Sequence, residues 1–84
     1  MCTMIARAMM VQGRLKSDGR WGDVERMSVA YDHPVELDEE HALLLDMVDT
    51  GADRPRRVAL ELTFDDARRL HALLTDVLAE AERV

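Results

Sequence analysis

The fold is decided by residues 57–70, which read RVALELTFDDARRL. Apolar residues alternate with polar or small ones from Arg57 to Leu62, and this period of two predicts a strand with one apolar face. The period changes at Thr63, a residue type that caps helices, and Asp66 three residues later suits the positive end of a helix. We therefore predict a fourth strand over Arg57–Leu62 and a helix from Phe64 to about Arg83.

Apolar residues of this helix recur at helical spacing, and such a stripe packs into a core by default. The stripe comprises Ala67, Leu70, Leu73, Leu74, Val77, Leu78 and Ala81. The opposite side of the helix carries Arg68, Arg69, Asp76, Glu80, Glu82 and Arg83. We expect this helix to cover one face of a sheet.

Three strand-like runs precede this unit, over Thr3–Gln12, Val24–Asp32 and His41–Asp49. A turn at 17–20, with Gly13 and Gly22 on either side, separates the first two runs, and His33-Pro34 with an acidic loop separates the second from the third. A turn at 50–55 leads into the fourth strand. The third run is apolar on both faces, which predicts a central position or a second subunit against the face that the helix leaves open.

The whole chain then predicts one α+β domain over residues 1–84, a four-stranded antiparallel meander with a C-terminal helix packed on one face (ββββα). A chain of 84 residues buries roughly 60 to 65 % of its unfolded surface. Its core is therefore thin, and we expect a homodimer.

Composition excludes several classes of protein. The 48 % hydrophobic and 33 % charged residues describe a folded chain. The net charge of −6 and the three aromatic residues disfavour binding to nucleic acid or to anionic membranes. We expect a cytoplasmic protein, since no stretch resembles a membrane span or a signal peptide and one cysteine forms no internal disulfide.

The acidic residues are concentrated in one segment. Residues 27–53 contain no lysine or arginine and carry eight carboxylates: Asp32, Glu36, Asp38, Glu39, Glu40, Asp46, Asp49 and Asp53. This segment is interpreted either as a solvated surface loop or as a source of a local field that favours a cation.

The meander brings distant residues to one end of the sheet. The first and third strands start there and the second and fourth end there, so Cys2, His33, His41 and the helix start at Thr63 share that end. His71, in the middle of the helix, is expected at a surface or boundary.

Three functions are compatible with this grouping. Cys2, His33 and His41 form a ligand set suited to Zn, Cu or Fe, with Asp32 or Glu40 in support, so the domain would bind a metal ion or another small ligand. Alternatively, Cys2 is the nucleophile of a small isomerase, lyase or hydrolase, with His33 and His41 as acid and base. The third alternative is a protein-interaction module without a site, which binds through an exposed apolar sheet face. On that view Cys2 is a small buried hydrophobe and both histidines are structural.

Several short motifs resemble those of a family of small bacterial proteins of unknown function. They are Met1-Cys2-Thr3, Trp21, Tyr31-Asp32-His33-Pro34, Glu40-His41, Leu45-Asp46, Arg57-Val58-Ala59 and Glu61-Leu62-Thr63. The sequence departs from the family pattern at residues 14–17, where the family is richer in glycine, and at Leu44, where a polar residue is expected. The resemblance covers nearly the whole chain and implies a shared fold, with no activity attached.

Overall fold

A computed structural model describes residues 4–49, 51 and 56–84. Its elements are β1 (Ile5–Ser17), β2 (Arg20–Asp32), β3 (Ala42–Asp49), β4 (Arg56–Leu62) and α1 (Phe64–Ala81). The strands form one sheet in the order β1-β2-β3-β4, with every neighbouring pair antiparallel. The predicted ββββα class and meander are confirmed.

The β1–β2 hairpin is longer than predicted. Its turn consists of Asp18 and Gly19 alone, with φ of 53° and 73°. Positive φ at both central residues is the geometry of the tight turns that best match strand twist, and Asp-Gly is a favoured pair for it. Both strands therefore run up to the turn, and Gly13 and Gly22, predicted to flank it, lie within β1 and β2.

Two bulges bend this hairpin. The register shifts between Met10 and Gly13 on β1 and between Val24 and Met27 on β2. Each shift adds one residue on one strand, which increases the local twist.

Cross-strand pairing defines an apolar face of the sheet, since paired residues point to the same side. Three rows cross all four strands: Ile5, Tyr31, Leu43, Leu62; Arg7, Val29, Leu45, Leu60; and Met9, Met27, Met47, Val58. Arg7 is the one charged member of this apolar face. The predicted alternation in the fourth strand is confirmed, because Val58, Leu60 and Leu62 all lie on this face.

The opposite face carries smaller and more polar side chains. Its central rows are Ala6, Ala30, Leu44, Glu61 and Ala8, Ser28, Asp46, Ala59. Small residues leave room above the sheet, and this is where the segment between β2 and β3 lies.

The helix begins as predicted. The Asp66 backbone N–H donates to Thr63 Oγ1 at 3.1 Å, so Thr63 is the N-cap, and Asp65 and Asp66 lie in the first turn. The helix ends at Ala81, two residues before the predicted end.

The helix stripe is exposed, contrary to the expectation that it forms the core. No residue of α1 is buried, and only Ala67 and Leu70 are half-buried. Leu73, Leu74, Val77 and Leu78 are 52 to 62 % exposed. Contact between helix and sheet is made mainly at β3, and the two half-buried stripe residues, Ala67 and Leu70, lie in the first two turns of the helix. The rest of the stripe is exposed.

The buried residues lie mainly at the hairpin end of the sheet. Among the described residues, the buried hydrophobic side chains are Leu15, Val24 and Ala42, and the buried charged one is Asp49. Asp49 Oδ2 accepts a hydrogen bond from Arg56 Nη2 at 2.6 Å, and Arg56 also donates to the Ser17 carbonyl. This ion pair joins the start of β4 to the end of β3 and to the hairpin.

No helix in residues 4–49, 51 and 56–84 combines the length and apolarity that crossing a membrane requires.

Candidate ligand-binding site

Two histidines meet where β2 ends and β3 begins. Asp32 pairs with Ala42 in the last register position of these strands, and His33 and His41 lie one residue beyond that pair. Their rings stack with centroids 4.6 Å apart and an interplanar angle of 27°. The prediction that these two imidazoles converge is confirmed, whereas their function stays a prediction.

The third predicted site residue, Cys2, lies outside the described residues. The Cys2–His33–His41 ligand set and the use of Cys2 as a nucleophile therefore both stay predictions. Within the residues that the structure describes, no group of three histidine, cysteine, aspartate or glutamate side chains is placed to hold a metal ion.

Asp32 and Glu40, predicted to support a metal site, hold the segment between the strands. Asp32 Oδ1 accepts a hydrogen bond from the His33 backbone N–H at 2.7 Å. His33 Nδ1 lies 2.8 Å from the Glu40 carbonyl oxygen. A carbonyl only accepts, so Nδ1 is the donor and the ring orientation of His33 is fixed by the far end of the same segment.

The aromatic cluster extends from the histidines to the helix. Tyr31 stacks on His41 at 5.5 Å between centroids and meets Phe64 edge-on at 6.0 Å. Phe64 reaches the cluster because Thr63 turns the chain from β4 into the helix. The prediction that the helix start shares this end of the sheet is confirmed.

A cavity of about 340 Å³ opens beside this cluster. It is lined by Tyr31, His41, Phe64, Thr63, Glu39, Glu40 and Asp65. Three aromatic rings and three acidic residues thus surround one space. The guanidinium carbon of Arg68 lies 5.1 Å from the centroid of Phe64, so one ring of the cluster already attracts a cation.

Sequence reasoning missed Tyr31 and Phe64 as site residues. Three aromatic residues are too few to stack several bases, and composition alone does not show that two of them lie together. The clue lay in their positions, because Tyr31 is two residues before His33 and Phe64 directly follows the predicted N-cap.

The segment between β2 and β3 is anchored by one carboxylate on β4. Glu61 accepts hydrogen bonds from the backbone N–H groups of Val35, Glu36 and Leu37 at 2.5, 2.9 and 2.9 Å. These bonds hold the pKa of Glu61 below its usual range. Successive N–H groups aimed at one anion form the type of concave site that binds anions elsewhere, and here the chain supplies its own anion.

A second cavity, of about 760 Å³, lies under this anchored segment on the opposite face of the sheet. Its floor includes the small side chains of Ser28, Ala30 and Ala59. At its rim Arg57 pairs with Asp46, and the bond to Asp46 raises the pKa of Arg57. With Arg57 and Glu61 committed to these partners, the groove is mainly apolar.

The structure therefore defines a small α+β domain whose strand ends carry an aromatic and acidic cavity. The chain belongs to DUF6295, a family of unknown function whose model matches residues 1–84. The resemblance seen in the sequence motifs is confirmed at that level. No curated protein and no solved structure matches the chain.

Proposed function

We propose that this domain binds a small ligand, an organic cation, in the cavity between Tyr31, His41 and Phe64. The observation that carries the proposal is the lining of that cavity, which combines three aromatic rings with Glu39, Glu40 and Asp65. The faces of aromatic rings attract cations, and a carboxylate beside them supplies the opposite charge.

The surrounding sequence supports a cation rather than an anion. Residues 27–53, which contribute four of the lining residues, contain no lysine or arginine. A cleft lined by one sign of charge raises the local concentration of ions of the other sign. The cavity volume of about 340 Å³ lies at the lower end of the range for small-molecule sites, which favours a compact amine.

A metal ion is the second cation that this end of the sheet would bind. His33 and His41 have stacked rings 4.6 Å apart, and with Cys2 they would offer the nitrogen and sulfur donors that Zn, Cu or Fe accept. Metal binding and amine binding predict different responses to the same substitutions.

Nuclear magnetic resonance titration of the full chain tests the proposal. The probe is choline, and the matched control is its uncharged isostere 3,3-dimethylbutan-1-ol. We expect choline to shift the resonances of Tyr31, His41 and Phe64 and the isostere to leave them in place. Phe64→Leu should weaken choline binding roughly two- to fivefold, the range for one cation–π contact at a partly exposed site. Phe64→Tyr keeps an aromatic ring and should bind choline as tightly as the wild type.

Equal shifts with both probes, or none with choline, would overturn the proposal. The metal alternative is tested in parallel by adding Zn²⁺ to chelator-treated protein. The metal site would be established instead if zinc binds stoichiometrically, if both Cys2→Ala and His41→Ala abolish that binding, and if choline shifts no resonance.

A further inference from the structure

The chain alone exposes more surface than a monomeric protein of its size. Its accessible surface is 7079 Å², whereas a monomer of 9.6 kDa exposes about 5,100 Å². The radius of gyration of 14.6 Å likewise exceeds the value of about 12 Å expected for a compact domain of this length. The chain therefore exposes an excess of about 2,000 Å².

Two exposed apolar surfaces contribute to this excess. One is the apolar face of the sheet, on which no row member is buried. Met9 and Leu60 on that face are 57 and 44 % exposed. The other is the helix stripe, which is exposed beyond its first two turns.

The helix is long enough to cross the apolar face of a sheet. A helix of 18 residues is about 27 Å long, and a four-stranded sheet is about 14 Å wide between its outer strands. One helix laid on the apolar face therefore spans it, and Leu74 and Val77 lie in the half of the helix that its own sheet does not cover.

We propose that a second copy of this chain covers both surfaces, with the helix stripe of each protomer on the apolar face of the other. Each copy offers one helix and one face, so a single two-fold arrangement satisfies both copies. Obligate homodimers bury about 2,000 to 5,000 Å² in total, counted over both chains. The excess of two chains is about 4,000 Å² and lies within that range.

The molar mass in solution is the first test. The wild-type chain should give twice its 9.6 kDa mass by light scattering after gel filtration. Leu74→Glu places a charge in the stripe and should abolish the dimer, whereas Ala79→Glu places the same charge on the other side of the helix and should leave it intact. A monomeric wild-type chain at 100 µM, or equal behaviour of the two variants, would overturn the proposal.

Cross-linking tests which sheet the helix covers, and it does not depend on whether Leu74→Glu folds. In a Cys2→Ser background, the pair Leu74→Cys and Leu45→Cys is treated with a short bismaleimide. Contact across the dimer gives a product of twice the chain mass on a denaturing gel, and Ala79→Cys with Leu45→Cys gives none. If the two cysteines are cross-linked but the product has the mass of one chain, the helix folds back on its own sheet and the proposal is wrong.

Discussion

The Asp49 carboxylate occupies the space above Gly22 that any side chain there would need. A Cβ built on Gly22 would collide with both carboxylate oxygens of Asp49, while Asp49 itself is 1 % exposed and bonded to Arg56 and to the Gly51 N–H. The glycine within β2 is therefore a packing requirement of a buried ion pair on β3 and β4.

Gly22→Ala should destabilise the fold markedly, because the buried ion pair must move to admit the methyl group. Overpacking of this kind costs about 1 to 3 kcal/mol. Gly13→Ala is the matched control, since its Cβ would meet Val24 Cγ1 at 3.2 Å, a contact that a small shift relieves. Urea unfolding followed by circular dichroism, at one protein concentration, should rank Gly22→Ala well below Gly13→Ala. Equal midpoints would contradict the packing argument.

Asp49 should make stability depend on pH in acid. The hydrogen bond from Arg56, followed by that from Gly51, holds the pKa of Asp49 below its usual range, although burial opposes them. The unfolded chain binds this proton first as the pH falls through about 4, so the stabilisation is present above that pH and is lost as the pH falls towards the folded value. Asp49→Asn should lower the free energy of unfolding at pH 7, and that free energy should then fall less steeply between pH 5 and 3 than in the wild type. Asp76→Asn, on the exposed helix surface, is the control and should leave both unchanged. Parallel acid profiles for wild type and Asp49→Asn would rule this out.

Glu61→Ala should release the segment between β2 and β3 while leaving the sheet folded. The backbone N–H groups of Val35, Glu36 and Leu37 would lose their acceptor and exchange with solvent roughly tenfold faster or more. In the wild type these same bonds lower the pKa of Glu61, so protection should persist through the pH range in which an ordinary glutamate is protonated and be lost only at lower pH. Hydrogen exchange measured by magnetic resonance checks both expectations. Unchanged exchange at residues 35–37 in the variant would show that other contacts hold the segment.

Thr63→Ala should remove the helix cap and cost about 1 kcal/mol of unfolding free energy. Thr63→Ser retains the hydroxyl that accepts the Asp66 N–H and should behave as wild type. Urea midpoints of the two variants provide the measurement, and a neutral effect of Thr63→Ala would mean that the first turn is held by Phe64 and its ring contacts instead.

The order of elements follows from the sequence because turn residues and the acidic segment separate four apolar runs and Thr63 marks the change of period from strand to helix. The two strands of the hairpin extend beyond the predicted turn because Gly13 and Gly22 resemble turn residues, whereas Gly22 makes room for Asp49 of the neighbouring strand. That role is a tertiary contact, which no local pattern contains.

The site was foreseen in part. Strand ends of a meander meet by geometry, so His33 and His41 were placed together correctly. Glu61 is not predictable in this way, because its partners are backbone N–H groups about 25 residues away. Nearly every residue type has a backbone N–H group, so the sequence does not show which ones bind a carboxylate. The exposed helix stripe was missed because periodicity shows that a surface is apolar and does not show which molecule covers it.

The row Met9, Met27, Met47 crosses three strands of the apolar face. Each thioether side chain is unbranched with three rotatable bonds, so this row is a deformable surface that adapts to whatever packs against it. Met9 is 57 % exposed on the edge strand, where an oxidant would convert its sulfur into a polar sulfoxide. The side chains that make the face adaptable therefore also make its polarity sensitive to oxidation.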